Sequence, residues 1–439
     1  MAREVVTGYC WPQSVRAGEE VGLHLSSSGG RPVRVEVARV GGRREVVFRA
    51  DAIAAEDHET PKDASARGCG WPVAVSLAVD PAWRSGYYEV VMEIDVGEKV
   101  RRDYAFFVVR PAARAPIVLA LAANTWHAYN DFGGTNLYNG GTQVAMQRPM
   151  AAGYLRKPPG KGRRVTGTGA PDPQNAAHVG YVQLNHLSEW AGSAGWPDWE
   201  LPFLEWAERD GFEIGVCTNA DLELHPEVLD GAELYLSVGH DEYWSRGMRD
   251  TVEDFIGAGG NAAFFSGNTS LWQVRIEGED HDVVVGYKGF FKDDPLMGTG
   301  REAEVTTFWS DVIVGRPENH MTGVSFTRGG YPHRSQRDGG PRWLHGPPAR
   351  SLDLRRHGAR VRRRPRVRRD GGRLRVRWVR VHLPGRTALS HRRGRDTVEL
   401  RDPRHLPDAA LHPRDGSAPA QVRRAERTGV PRRARVRDS

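Results

Sequence analysis

The feature that most limits what this 439-residue chain can fold into is a break in composition near residue 326. Lys292 is the last lysine, Ile313 the last isoleucine, Asn319 the last asparagine, Met321 the last methionine and Phe326 the last phenylalanine, while arginine, proline, glycine and alanine continue in abundance. Residues written with A/T-rich codons vanish together, as they do when a GC-rich gene is read out of frame. Charge divides at the same place: residues 331–439 carry 31 arginines against 10 acidic residues, and the stretch before them is net acidic. The expectation is a C-terminal quarter, 331–439, that is an out-of-frame translation and is not natively folded, with a single slip just after Arg328, Gly329 and Gly330. The competing reading is a basic arm in which Arg362, Arg363, Arg364, Arg366, Arg368 and Arg369 contact phosphates. A selected arm usually keeps some lysine and a repeat, so no specific nucleic acid is expected as a partner. Any function is sought before residue 331.

Residues 1–112 read as an all-β unit. Val21, Leu23 and Leu25 alternate with exposed positions, and so do Val33, Val35 and Val37 against Arg34 and Glu36, which is the period of half-buried antiparallel strands. Gly29, Gly30, Gly41 and Gly42 punctuate them. Further runs at 45–48, 73–79, 87–94 and 104–109 bring the count to about seven, that of an immunoglobulin-like β-sandwich. Nothing catalytic clusters there, and the Ala- and Pro-rich stretch 111–116 reads as a linker.

Beyond it, residues 113–330 read as α/β. The continuous apolar run 117–122 is what a strand buried on both faces requires. Helix and strand then alternate: a helix at 201–209, a strand at 212–216, a helix near 221–229, a strand at 233–238, a helix at 245–258 stopped by Gly259 and Gly260, and a strand at 261–265. A doubly wound parallel sheet follows, with ligands expected beyond the carboxyl ends of the strands. Three polar segments occupy those ends: 124–138 (NTWHAYNDFGGTNLY), 239–245 (GHDEYWS) and 266–268 (SGN). Tyr129, Tyr138, His240, Asp241, Glu242 and Asn268 should therefore meet in one crevice.

Phenolates and a carboxylate are hard anionic oxygen donors, suited to a hard cation such as ferric iron. A metal so held polarises a carbonyl and makes hydroxide available at neutral pH. His240 is placed to orient a ligand or shuttle a proton, Asn268 to donate to an oxyanion, and Lys288 to add positive charge. Two other readings stay open. Cys217, in GVCTN, could form a thiolate pair with His240, although no glycine elbow surrounds it. The tryptophans Trp126, Trp190, Trp196, Trp199, Trp244 and Trp272 could serve a non-catalytic sugar-binding or scaffold protein, although tryptophans at element starts are more often core. The three cysteines form no CxxC pair, and the apolar run 117–123 is too short to cross a bilayer, so a cytoplasmic protein is expected.

At these residues the chain resembles the large (beta) subunit of N,N-dimethylformamidase. Ala128-Tyr129-Asn130, Tyr138-Asn139, His240-Asp241-Glu242-Tyr243, and Gly267-Asn268 ahead of Trp272 and Arg275 carry the likeness, over about 116–327. The resemblance implies a glutamine-amidotransferase-like α/β domain and mononuclear Fe(III) bound by Tyr129, Tyr138 and Glu242. It places His240 behind them and Asn268 and Lys288 near a small amide substrate. It further implies a small partner subunit or an assembly of identical chains.

Overall fold

The computed structural model describes residues 5–112, 114–157 and 182–326, together with a two-rung antiparallel ladder joining Arg369–Asp370 to Arg373–Leu374. Met1–Gly339 form one compact unit and Gly340–Ser439 a second. Apart from that ladder, the expectation for the tail lies outside the described residues.

Eight strands build the N-terminal part: β1 (Val6–Trp11), β2 (Ser14–Val15), β3 (Glu20–Ser27), β4 (Val33–Val40), β5 (Arg44–Ile53), β6 (Val73–Ala78), β7 (Gly86–Val96) and β8 (Lys99–Val109). They form a three-stranded sheet, β1-β3-β6, and a five-stranded sheet, β2-β8-β7-β4-β5. The alternation read from the sequence is the alternation observed: Val21, Leu23, Leu25, Val33, Val35 and Val37 join Val90, Met92, Phe107 and Val109 in one buried cluster. The other face of the five-stranded sheet is not free. Tyr87, Phe106 and Val108 belong to the core of the α/β part, and Tyr87 stacks on Trp196 with ring centroids 4.0 Å apart. The Gly41–Gly42 turn completes this junction, since a Cβ on Gly42 would lie 2.9 Å from the Cβ of Glu208.

The α/β part is built on four parallel strands in the order β11-β9-β12-β14, with β9 at Ile117–Leu121, β11 at Ile214–Thr218, β12 at Leu234–His240 and β14 at Asn261–Gly267. β9 shows why its run is continuous: Leu119 and Leu121 pack on one side with Leu204 and Ala207, while Val118 and Ala120 pack on the other with Trp244, Met248 and Val252. The helices on these faces are α2 (Glu200–Arg209) and α3 (Arg246–Gly257), and α1 (Ala123–Tyr129) leads directly out of β9. Ser245 caps α3 by accepting from the Met248 amide at 3.3 Å, and Gly259, at φ 103°, ends it. The helix expected near 221–229 is broken, because Pro226 has no N–H to continue it; one α-turn (Asp221–Leu224) precedes a 3-10 turn (Pro226–Leu229). A second small sheet, in the order β10-β16-β15-β13, uses β10 (Gln143–Ala145), β13 (Tyr243–Ser245), β15 (Trp272–Glu277) and β16 (Val283–Val285). No helix among the described residues is long and apolar enough to cross a membrane.

Candidate active site

The crevice lies where strand order reverses, at the carboxyl ends of β9 and β12, the position that a doubly wound sheet leaves open for ligands. Tyr129 ends α1, His240 ends β12, Glu242 follows it, and Asn268 follows β14. Gly239, before His240, has φ 93°, and a Cβ there would stand 2.7 Å from the Cβ of Trp199. Only glycine fits this turn. Asn268 and Lys288, at φ 52° and 57°, are held in the left-handed region that non-glycine residues rarely adopt and that clusters at functional sites.

The three oxygen donors are together. Tyr129 Oη lies 2.7 Å from Tyr138 Oη and 3.0 Å from Glu242 Oε2, and Tyr138 Oη lies 2.9 Å from the same carboxylate oxygen. These atoms form a triangle with three oxygen–oxygen contacts but only two phenolic protons to fill them. Glu242 Oε1 accepts from the Trp272 indole at 2.9 Å, and the Glu242 amide donates to Thr125 Oγ1 at 3.0 Å. The tyrosine rings stack at 4.3 Å, and Trp190 stacks on Tyr138 at 5.5 Å. Tyr129 is fixed from behind, its carbonyl accepting from Tyr154 Oη at 2.6 Å and from Asn136 Nδ2 at 2.9 Å.

His240 joins the ring of contacts. Its Nδ1 faces the Ser193 carbonyl at 2.6 Å, which can only accept, so Nδ1 carries a proton. Nε2 is then the exchanging atom, 3.1 Å from Glu242 Oε2 and 3.1 Å from Asn268 Nδ2. Burial opposes its charge, but the Glu242 carboxylate outweighs burial and raises the imidazole above its usual pKa. Glu242 itself is buried, which alone would raise it; His240 and then Lys288 reverse this and hold the carboxyl below its usual range. Burial drives both Tyr129 and Tyr138 well above the ordinary phenol value. Lys288 Nζ sits 3.2 Å from the centre of the Tyr138 ring and donates to the Leu137 carbonyl at 3.1 Å, and burial lowers its pKa to about 8.

Tyr129, Tyr138, His240, Glu242, Asn268 and Lys288 lie together in this crevice, whereas Asp241, expected among them, does not. Asp241 points away into a separate buried pocket, accepting from Ser237 Oγ at 2.7 Å and Asn219 Nδ2 at 3.2 Å. Cys217 is fully buried in the apolar cluster beneath the sheet, where burial pushes its thiol well above its usual pKa, so it is no nucleophile. Trp126, Trp196 and Trp244 are core, whereas Trp190, Trp199 and Trp272 line the site. The sequence offered no signal for Ser193, which acts through its carbonyl. For Trp272 the only hint was its place after the Gly267-Asn268 turn.

The sequence family described as "N,N-dimethylformamidase beta subunit-like, C-terminal" matches residues 34–349. The chain belongs to this family. The match begins within the sandwich, well before the 116–327 segment whose motifs carry the resemblance. Two N,N-dimethylformamidase beta subunits are similar to it. That of an Alcaligenes species is 25% identical over 223 residues, covering 48% of this chain and 29% of its own. That of Paracoccus aminophilus is 30% identical over 86 residues, covering 18% of this chain and 11% of its own. The chain therefore aligns with less than a third of the length of either relative.

Proposed function

We propose that this chain is built for iron-dependent hydrolysis of the carbon–nitrogen bond in a small N-substituted amide, a reading in keeping with a family named after an N,N-dimethylformamidase subunit. The oxygen triangle of Tyr129, Tyr138 and Glu242 carries the reading. Its edges of 2.7, 2.9 and 3.0 Å bring three hard oxygen donors to one point, where Tyr129, Tyr138 and Glu242 would hold a hard cation. One edge has no proton to hold it, which a cation would remedy. Among the described residues no group of three or more His, Cys, Asp or Glu side chains could hold a metal, so an ion here depends on the phenols. Two phenolates and a carboxylate neutralise Fe(III).

When bound, the ion would polarise the amide carbonyl and acidify a water. The chain's own groups do the rest. Glu242 is already a carboxylate, and the tyrosines release their phenolic protons to solvent or share them, with Lys288 and His240 supplying the nearby positive charge. His240 takes or returns a proton at Nε2 while the Ser193 carbonyl keeps its ring in place. Asn268 Nδ2 donates to Nε2 when the ring is neutral and is free to donate to an oxyanion when Nε2–H turns to Glu242. Trp190, Trp199 and Trp272 form an apolar rim suited to alkyl groups.

We further read the eight-stranded part as immunoglobulin-like and the strand order β11-β9-β12-β14 as the amidotransferase-like plan. Residues 331–439 we read as the product of a frame slip that impairs this chain, and a small partner subunit and a cytoplasmic location as the family's setting. Sequencing the gene across codons 325–340 tests the slip. The function is tested on the frame-corrected chain by metal analysis and amine release from a panel of N-alkyl amides. One iron per chain with a visible phenolate-to-iron band is expected. Stoichiometric zinc, or turnover unchanged in Glu242→Ala, overturns the reading.

A further inference from the structure

We propose that Asp241 is a positioning residue: from behind the crevice it holds in register the three segments that carry Tyr129, the His240–Glu242 pair and Asn268. The inference rests on the site reading above and concerns a group that touches neither substrate nor metal. Asp241 stands between His240 and Glu242 in sequence, yet its side chain is turned away from them and fully buried. All four of its polar atoms are engaged. Its amide donates to the Gly267 carbonyl at 3.3 Å, and its carbonyl accepts from the Ser270 amide at 2.9 Å and from the Trp244 indole at 3.2 Å. The carboxylate accepts from Asn219 on one oxygen and from Ser237 on the other.

Two arms leave that carboxylate. Asn219, directly after β11, donates to Oδ1 at 3.2 Å, and its own Oδ1 accepts from the Asn124 amide at 3.1 Å. Asn124 lies in the first turn of α1, where amides have no partner within the helix, so this bond fixes the start of the helix that ends on Tyr129. On the other arm Ser237 donates to Oδ2 at 2.7 Å, and a line of hydroxyls runs on from it to Ser266 at 2.7 Å and Thr269 at 2.6 Å, on either side of Asn268. Asn124, Asn219 and Ser237 are fully buried as well. An apolar side chain would avoid the cost of burying a carboxylate here, but it could not tie β11 to β12 and β14. Both bonds to the carboxylate are charge-assisted and resist relative movement of these segments. The crevice needs that restraint, since its oxygen–oxygen edges of 2.7 to 3.0 Å join residues of two of them.

Variants of the full chain in its corrected frame separate placement from mere burial. Asp241→Asn keeps the shape and both arms: its amide oxygen still accepts from Asn219, and its NH2 donates to Ser237 while the hydroxyl line reverses direction. Asp241→Ala cuts both. Fe(III) affinity, titrated through the visible phenolate band, should fall about 10- to 100-fold in Asp241→Ala, the usual loss when a group supporting a ligand is removed, and stay close to the parent in Asp241→Asn. Crystal structures of the metal-free proteins give a second readout: the triangle of Tyr129, Tyr138 and Glu242 oxygens should open in Asp241→Ala and stay closed in Asp241→Asn. Ser237→Ala, a milder cut confined to one arm, should displace Asn268 and leave Tyr129 in place, and it serves where Asp241→Ala does not fold. A closed triangle with parental iron affinity in Asp241→Ala overturns the proposal. So does an Asp241→Asn as impaired as Asp241→Ala, or an Asn268 unmoved in Ser237→Ala. A parent that binds no iron, with the triangle still opening in Asp241→Ala, would overturn the proposed function and leave this inference standing.

Discussion

Replacing Arg39 by methionine should cost this protein about 3 kcal/mol of stability, because it strands a carboxylate at the junction between the sandwich and the α/β part. Arg39, on β4, is 3% exposed; its guanidinium grips both oxygens of Glu208 on α2, at 2.5 and 3.2 Å, and its Nε donates to the Ser85 carbonyl at 2.9 Å. Methionine fills most of the volume, so packing changes little, but Glu208 keeps only the Gly42 amide at 2.7 Å. Removing one partner of a buried pair costs about 3–5 kcal/mol, and the lower end applies because the Glu208 side chain retains 13% exposure. Replacing both, as Arg39→Met with Glu208→Leu, removes the stranded charge and should recover most of the loss. Burial would raise Glu208, but Arg39 outweighs it and holds the carboxyl below its usual pKa. The pair's contribution is therefore present above the unfolded-state carboxyl pKa and is lost as pH falls through the lower folded value. Urea unfolding followed by tryptophan fluorescence, at neutral and acid pH, measures all of this. A cost below 1 kcal/mol for Arg39→Met, or a double variant no better than the single, would refute the reasoning.

Three further outcomes follow from the same contacts. Tyr138→Phe should weaken iron binding and reduce the visible band, and the double variant Tyr129→Phe, Tyr138→Phe should abolish the band; persistence of the colour, read by absorption spectroscopy, refutes the ligand assignment. Glu200 is fully buried and held well above its usual pKa by burial, with Trp126 Nε1 as donor at 3.2 Å. Its folded pKa is raised, so stability declines as pH rises above the unfolded value, and Glu200→Gln should be at least as stable as the parent at neutral pH with an advantage that shrinks in acid. Urea midpoints at the two pH values check it. Gly239→Ala forces a Cβ into a left-handed residue against Trp199 and should cost about 1–3 kcal/mol, with loss of iron binding because His240 and Glu242 follow directly; an unchanged thermal midpoint would show that the turn relaxes freely.

Much of the fold was legible because its signals are local. Alternation at Val33, Val35 and Val37, the unbroken run of β9, Ser245 before α3 and Gly259 after it each fix an element within a few residues of themselves. Part of the crevice was legible for a related reason: His240, Glu242 and Asn268 are polar side chains placed directly after apolar strands, Tyr129 closes the helix that leads out of β9, and a doubly wound sheet collects such positions at one edge. The error at 221–229 was local too, a proline whose missing N–H splits a helix that periodicity alone would continue.

What the sequence could not supply is everything set by approach between distant segments. The oxygen triangle joins residues 129, 138 and 242 at spacings of 2.7 to 3.0 Å, and no periodicity encodes a distance. His240 owes its tautomer to a carbonyl 47 residues earlier, a group every residue carries and no side chain announces. Tyr87 and Phe106 lie on strands of the five-stranded sheet but are buried in the core of the α/β part, a placement that no local pattern gives. The sequence by itself determined the alternating strands of the N-terminal part, the four parallel strands, the two longer helices and several of the crevice side chains, since these follow from local sterics and burial. Their separations, protonation and burial arise from packing between parts of the chain far apart in sequence, and only the tertiary structure decided those.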